Sequence, residues 1–182
     1  MRVLGFDPGL ASFGWCVADV ADEVSILELG VWRTKPDTTK SAIRGTSDVA
    51  ERVAVLIRNV AELVERAQPS ALCMEDFSPP RSSSAAAKVA RVFGMLDAVA
   101  EYEGLASLRV TPQEIKLAMC GRRGASKDDV ENEVLRWCEP EAIGQLERDV
   151  TASQRNHAYD AAGSVLASKH HPLMLMLTRG GR

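Results

Sequence analysis

Apolar and polar positions alternate along the first part of the chain in the two-residue rhythm of half-buried strands. Three such runs, residues 2–7, 13–20 and 24–33, follow one another with short links, which predicts an antiparallel meander. The rhythm then changes. Val49, Val53, Leu56, Ile57, Val60 and Val64 recur at helical spacing and predict a helix over residues 47–67 with Ser47 as its cap. Pro69 closes that helix, and Ala71-Leu72-Cys73-Met74 reads as a fourth strand running into Glu75 and Asp76. A meander, a helix and a further strand are satisfied by a mixed sheet with the new strand beside the first.

Residues 77–84, rich in Ser and Pro, read as a loop ending in a helix cap. The helix over residues 84–103 is apolar on two faces, one carrying Ala86, Val89, Ala90, Phe93 and Ala100, the other Ala85, Val92, Met95 and Val99. Burial on both sides is expected, against the sheet and against a partner subunit. A fifth strand spans residues 105–110, and Thr111-Pro112 opens a short helix. A basic turn, Gly121-Arg122-Arg123-Gly124, precedes a helix over residues 126–138 with Val130, Val134 and Trp137 on its buried face. Residues 139–153 read as polar and irregular, and a last helix covers residues 156–169. The expected fold is α/β: a five-stranded mixed sheet, three strands antiparallel and two parallel, with helices on both faces. Residues 1–170 form one domain, and residues 171–182 a tail, disordered or packed on a neighbour.

Composition changes this picture little. With 46% apolar residues in 182, a sizeable core is available, and no apolar run approaches the roughly 20 residues of a membrane span. Cys16, Cys73, Cys120 and Cys138 share no CxxC spacing, which fits a reduced, cytoplasmic protein rather than a structural zinc site. The net charge of -3 does not advertise a nucleic-acid partner, but the charges segregate. Arg81, Lys88 and Arg91 are the only charges between Ser78 and Leu96, and Lys116 and Lys127 flank Arg122-Arg123.

The candidate chemistry lies in three acids. Asp7 ends the first strand before Pro8-Gly9, whose glycine allows close approach of a backbone or a phosphate. Glu75 ends the fourth strand, and Asp160 lies three residues after His157 on one helical face. Taken separately, these are a turn residue, a strand-end acid and a helix-start acid. If the first and fourth strands are neighbours, Asp7 and Glu75 point into one space, and crowded carboxylates repel unless a cation joins them. Hard oxygen donors suit Mg²⁺ or Mn²⁺, and a pair of such ions can drive phosphodiester cleavage.

These residues resemble the RuvC family of Holliday-junction resolvases, within the ribonuclease H-like superfamily. Gly5-Phe6-Asp7-Pro8-Gly9-Leu10 with Gly14 is similar to the family's first motif, Met74-Glu75 to its second, Lys116 and Lys127 to its two functional lysines, and His157-Ala158-Tyr159-Asp160 to its last. The resemblance runs over residues 1–168. It implies a homodimer that binds branched DNA and nicks opposing strands of a four-way junction, leaving 5′-phosphates. It assigns Asp7, Glu75, His157 and Asp160 as ligands of Mg²⁺ or Mn²⁺, two per active site, and Lys127 as a catalytic cation. Lys116, Arg122, Arg123, Arg81 and Phe77 are the expected DNA contacts, and the stretch from Ser78 to Ser84 differs from the family's loop. No membrane partner is expected. Competing classes are a junction-binding protein without catalysis and an enzyme that cuts RNA–DNA hybrids. An actin-like nucleotidase, suggested by the Asp-x-Gly start, would need a second lobe for which 182 residues leave no room.

Overall fold

The computed structural model describes residues 1–36, 45–76 and 82–180. Five strands, β1 (Arg2–Asp7), β2 (Ser12–Val20), β3 (Val24–Arg33), β4 (Ala71–Glu75) and β5 (Ala106–Val110), form one sheet in the order β3-β2-β1-β4-β5. β1 pairs antiparallel with β2 and β2 with β3, whereas β4 runs parallel to both β1 and β5. The mixed sheet and the placement of β4 beside β1 are as the patterning predicts.

Strand alternation divides the core in two. Leu4, Phe6, Phe13, Val17, Leu72 and Met74 face α1 (Gly45–Ala67) and α2 (Ser83–Glu103). Val3, Cys16, Ala71 and Cys73 face the other layer, which comprises α3 (Pro112–Cys120), α4 (Lys127–Leu135), α5 (Pro140–Asp149), α6 (Arg155–Ser168) and α7 (Pro172–Gly180). By the same alternation Asp7 and Glu75 belong to the α6 face.

The sequence reading needs correction at four places. α1 begins at Gly45, so Ser47 lies inside the helix rather than capping it. Residues 139–153 are not irregular: Pro140 at the first position and buried Ala142 and Leu146, four apart, make α5 a helix set against β3. One apolar contact per turn among Glu141, Glu147, Arg148 and Asp149 is too sparse to stand out in the sequence. The described part of the tail is helical. Residues Pro172–Gly180 form α7, whose Met174 is fully buried and whose Leu173 and Leu177 pack on the same core. α2 packs on the sheet through Val92, Phe93, Met95, Leu96 and Ala100, and Ala87, Ala90, Gly94 and Ala98 on its outer face, the side where a partner subunit is expected, are exposed in the single chain. Trp137, expected on α4, follows its end and is partly buried, with its carbonyl accepting from Ile26 N.

Candidate active site

α6 lies across the sheet because two glycines let it. A Cβ at Gly5 of β1 would come within 2.3 Å of Ala161 O, and one at Gly14 of β2 within 1.9 Å of His157 O. Contacts that short do not occur, so only glycine at these positions allows the helix to rest on the strand backbones. Ala158, Ala161 and Ala162 complete the close fit from the helix side. Buried Ser164 adds a direct tie, its Oγ donating to Cys73 O of β4 at 3.1 Å.

This seating carries His157 and Asp160 to the end of the sheet where β1 and β4 finish. His157 Nδ1 donates to Asp7 Oδ2 at 2.5 Å, and that bond with the carboxylate raises the imidazole pKa above its usual value. Glu75, Asp160, Lys116 and Lys127 line one cleft of about 260 Å³ at the ends of α3, α4 and α6. Thr111 and Ser126 cap α3 and α4 with reciprocal capping boxes, which fix the two helix starts flanking the cleft.

The acids feel one another. Burial, and then the charges of Asp160 and Asp7, push Glu75 up to about 8, with Lys127 opposing the rise. Burial and Asp7 push Asp160 up to about 6, with Lys127, His157 and Lys116 opposing. As the side chains stand, no three His, Cys, Asp or Glu groups among the described residues close around a common ion position. The donor set nevertheless suits a hard divalent cation. Three carboxylates feel one another's charge, with the Asp7-bonded imidazole beside them, and positive charge among them would offset the burial and repulsion that lift Glu75 and Asp160.

Of the other expected residues, Arg123 is exposed on the Gly121–Gly124 turn. Arg122 is exposed but held by Asp129 at 2.6 Å. Phe77 and Arg81 lie outside the described residues. The structure adds residues that sequence reading did not single out. Ser12 Oγ donates to Gln154 Oε1 at 2.7 Å, tying the start of β2 to the approach to α6. Arg155 donates to Val150 O and Glu147 O, each at 3.0 Å, and so fastens the end of α5 to the start of α6. The Ser12 and Gln154 positions are 142 residues apart, and no local spacing signals such a pair.

The family model described as "Crossover junction endodeoxyribonuclease RuvC" matches residues 3–145, a span holding Asp7, Glu75, Lys116 and Lys127 but ending before α6. The curated RuvC of Prochlorococcus marinus (strain MIT 9313) is 30% identical over 137 residues, covering 75% of this chain and 82% of that protein. The RuvC structure from Thermus thermophilus superposes with a TM-score of 0.71 at 25% identity, covering 100% of this chain and 97% of that one. A second structure, of T. thermophilus RuvC in complex with a Holliday junction substrate, gives 0.73 at 23% identity over 96% of each chain and shares the fold. The chain therefore belongs to the RuvC family of crossover junction endodeoxyribonucleases.

Proposed function

We propose that this chain is a divalent-metal-dependent, structure-selective DNA endonuclease that resolves four-way junctions, acting as a homodimer that nicks two opposing strands symmetrically. The observation that carries this reading is the meeting of Asp7, Glu75, Asp160 and His157 beside Lys116 and Lys127, in a chain of the RuvC family. Asp7, Glu75, Asp160 and His157 are the residues to hold Mg²⁺ or Mn²⁺, two ions per site. Bound there, the ions supply Lewis acidity for attack of water on phosphorus. Lys127 opposes the negative charge that grows on the phosphate as the bond breaks, and Lys116 holds a phosphate oxygen. Hydrolysis leaves a 5′-phosphate. The exposed outer face of α2, with Ala87, Ala90, Gly94 and Ala98, is the proposed dimer seat.

The deciding experiment is nicking of a synthetic four-way junction in a metal series. Paired nicks should appear with Mg²⁺ or Mn²⁺, disappear with a chelator, and fall by about 10²-fold or more in Asp7→Asn, with junction binding retained. Because an imidazole replaces one carboxylate in the donor set, Mn²⁺ should outperform Mg²⁺. Binding without nicking in every metal would favour a junction-binding protein, and faster cleavage of RNA–DNA hybrids a ribonuclease.

A further inference from the structure

α3 and α4 start under side-chain caps, but α6 does not: its cap residue, Gln154, makes no side-chain bond to its own helix. A residue in that place ordinarily satisfies a free N–H of the first turn. Gln154 instead reaches across to β2, where its Oε1 accepts from Ser12 Oγ at 2.7 Å. The turn left without a cap is the one that carries His157, and uncapped helix starts open easily.

Alternation explains how the two side chains meet. Ser12 and Gly14 stand two apart on β2 and present the same face to α6, while Phe13 between them packs with the α1 side. The bare backbone at Gly14 admits the helix, and the hydroxyl at Ser12 catches its start. Ser12 follows Asp7 through a connection that has little freedom. Gly9 N donates to Asp7 O at 3.0 Å, and Thr34 N donates to Ala11 O at 3.2 Å. Thr34 Oγ1 also donates to Leu10 O, and it accepts from Arg52 Nε of α1 at 2.9 Å.

The result is a closed ring. It runs from Asp7 along the connection to Ser12, across to Gln154, along the first turn of α6 to His157, and back to Asp7 through the 2.5 Å bond. Arg155 also pins the helix start, but to α5; Ser12 and Gln154 tie it to the strand pair that delivers the acid. A cation drawing on Asp7 and His157 competes with the bond between them. The bond from Ser12 to Gln154 stands outside that competition.

We infer that Gln154 is a positioning residue: latched by Ser12, it keeps His157 beside Asp7, so that these two ligands are together before a divalent ion arrives. The inference rests on the metal-dependent endonuclease reading above and adds a residue pair to it. The latch touches neither ion nor DNA. Its loss weakens metal binding and turnover and leaves the grip on the junction intact.

The test uses the full chain with Ser12→Ala, Gln154→Ala, the double variant, and Ser12→Thr, which keeps the hydroxyl. Ser168→Ala is the control, because its Oγ donates to Ser164 O toward the far end of α6 and takes no part in the ring. Mn²⁺ affinity is measured by calorimetric titration without DNA, together with kcat for nicking, junction affinity without metal, and thermal melting. Each alanine variant of the pair should bind Mn²⁺ about tenfold more weakly. The double variant should bind no more weakly than either, because all three lack the same bond. At subsaturating Mn²⁺ the turnover should fall in step. Junction affinity rests on phosphate contacts elsewhere and should stay within about twofold. Ser12→Thr should match wild type, and Ser168→Ala should melt lower with its Mn²⁺ affinity unchanged.

Additive losses in the double variant would overturn the latch and leave the nuclease reading intact. So would Mn²⁺ affinities that simply track melting temperature across the variants, or a Ser12→Thr protein no better than Ser12→Ala. A wild-type chain that binds no Mn²⁺ and nicks no junction would strike the underlying function instead.

Discussion

Glu75 is the residue whose surroundings have the most consequence. Its carboxyl sits at about 8 in the folded protein because burial and two neighbouring acids disfavour its charge. An unfolded chain would hold it near the ordinary 4.5. The folded state therefore binds this proton more tightly, and the resulting stability is complete below about pH 4.5 and is lost as pH rises through 8. Asp160 acts in the same sense between 3.8 and about 6. His157, with its raised pKa, adds stability below its unfolded value that is lost as pH climbs past the folded one. Without divalent ions, the melting temperature should fall by several degrees from pH 5 to pH 8.5. Added Mg²⁺ or Mn²⁺ should restore it more at the upper pH than at the lower, and Glu75→Gln should flatten the profile. Calorimetric scans at both pH values, with and without metal, check this; a cation that stabilises more at pH 5 would contradict it.

At the level of elements, α6 against β1 and β2 decides whether a site exists. Gly14→Ala places a methyl group where His157 O stands, so α6 must lift from the sheet. A loss of about 1–3 kcal/mol is expected, together with loss of nicking. Gly94→Ala on the exposed side of α2 meets nothing within 4 Å and should leave the monomer as stable or up to about 1 kcal/mol more so. Denaturant unfolding of the two variants makes the comparison. This is also where legibility in the sequence ends. The sheet order, the strand-end acids and the helical spacing of His157 and Asp160 follow from local pattern, because alternation and a three-residue step are local properties. The need for glycine at positions 5 and 14 depends on what crosses them from more than 140 residues away, which pattern does not record. α5 and α7 escaped for a related reason: their few buried residues, Ala142 and Leu146 or Met174, gain meaning only against the sheet and its neighbours.

For the whole molecule, a net charge of -3 conceals an uneven surface. Arg2, Arg66, Arg109, Arg122 and Arg136 are paired with acids, whereas Lys88 and Arg91 have no such partner among the described residues. Paired nicking also needs two sites at a fixed separation, which the proposed α2-to-α2 dimer supplies. Replacing Ala90 and Gly94 by Glu should reduce the sedimenting mass to that of one 19.7 kDa chain. It should also convert any paired cleavage into slow, independent single nicks. A variant that still sediments as a dimer would move the interface elsewhere.

The glycine notch under α6 has a consequence for how this protein can change. The helix is keyed into the sheet by its own footprint and pinned at its start by the Gln154 and Arg155 hydrogen bonds, so its register is held from both the sheet and the connection. Exposed side chains along that connection can be exchanged over generations without shifting the proposed ligands, while a single methyl group at either notch position would dislodge them.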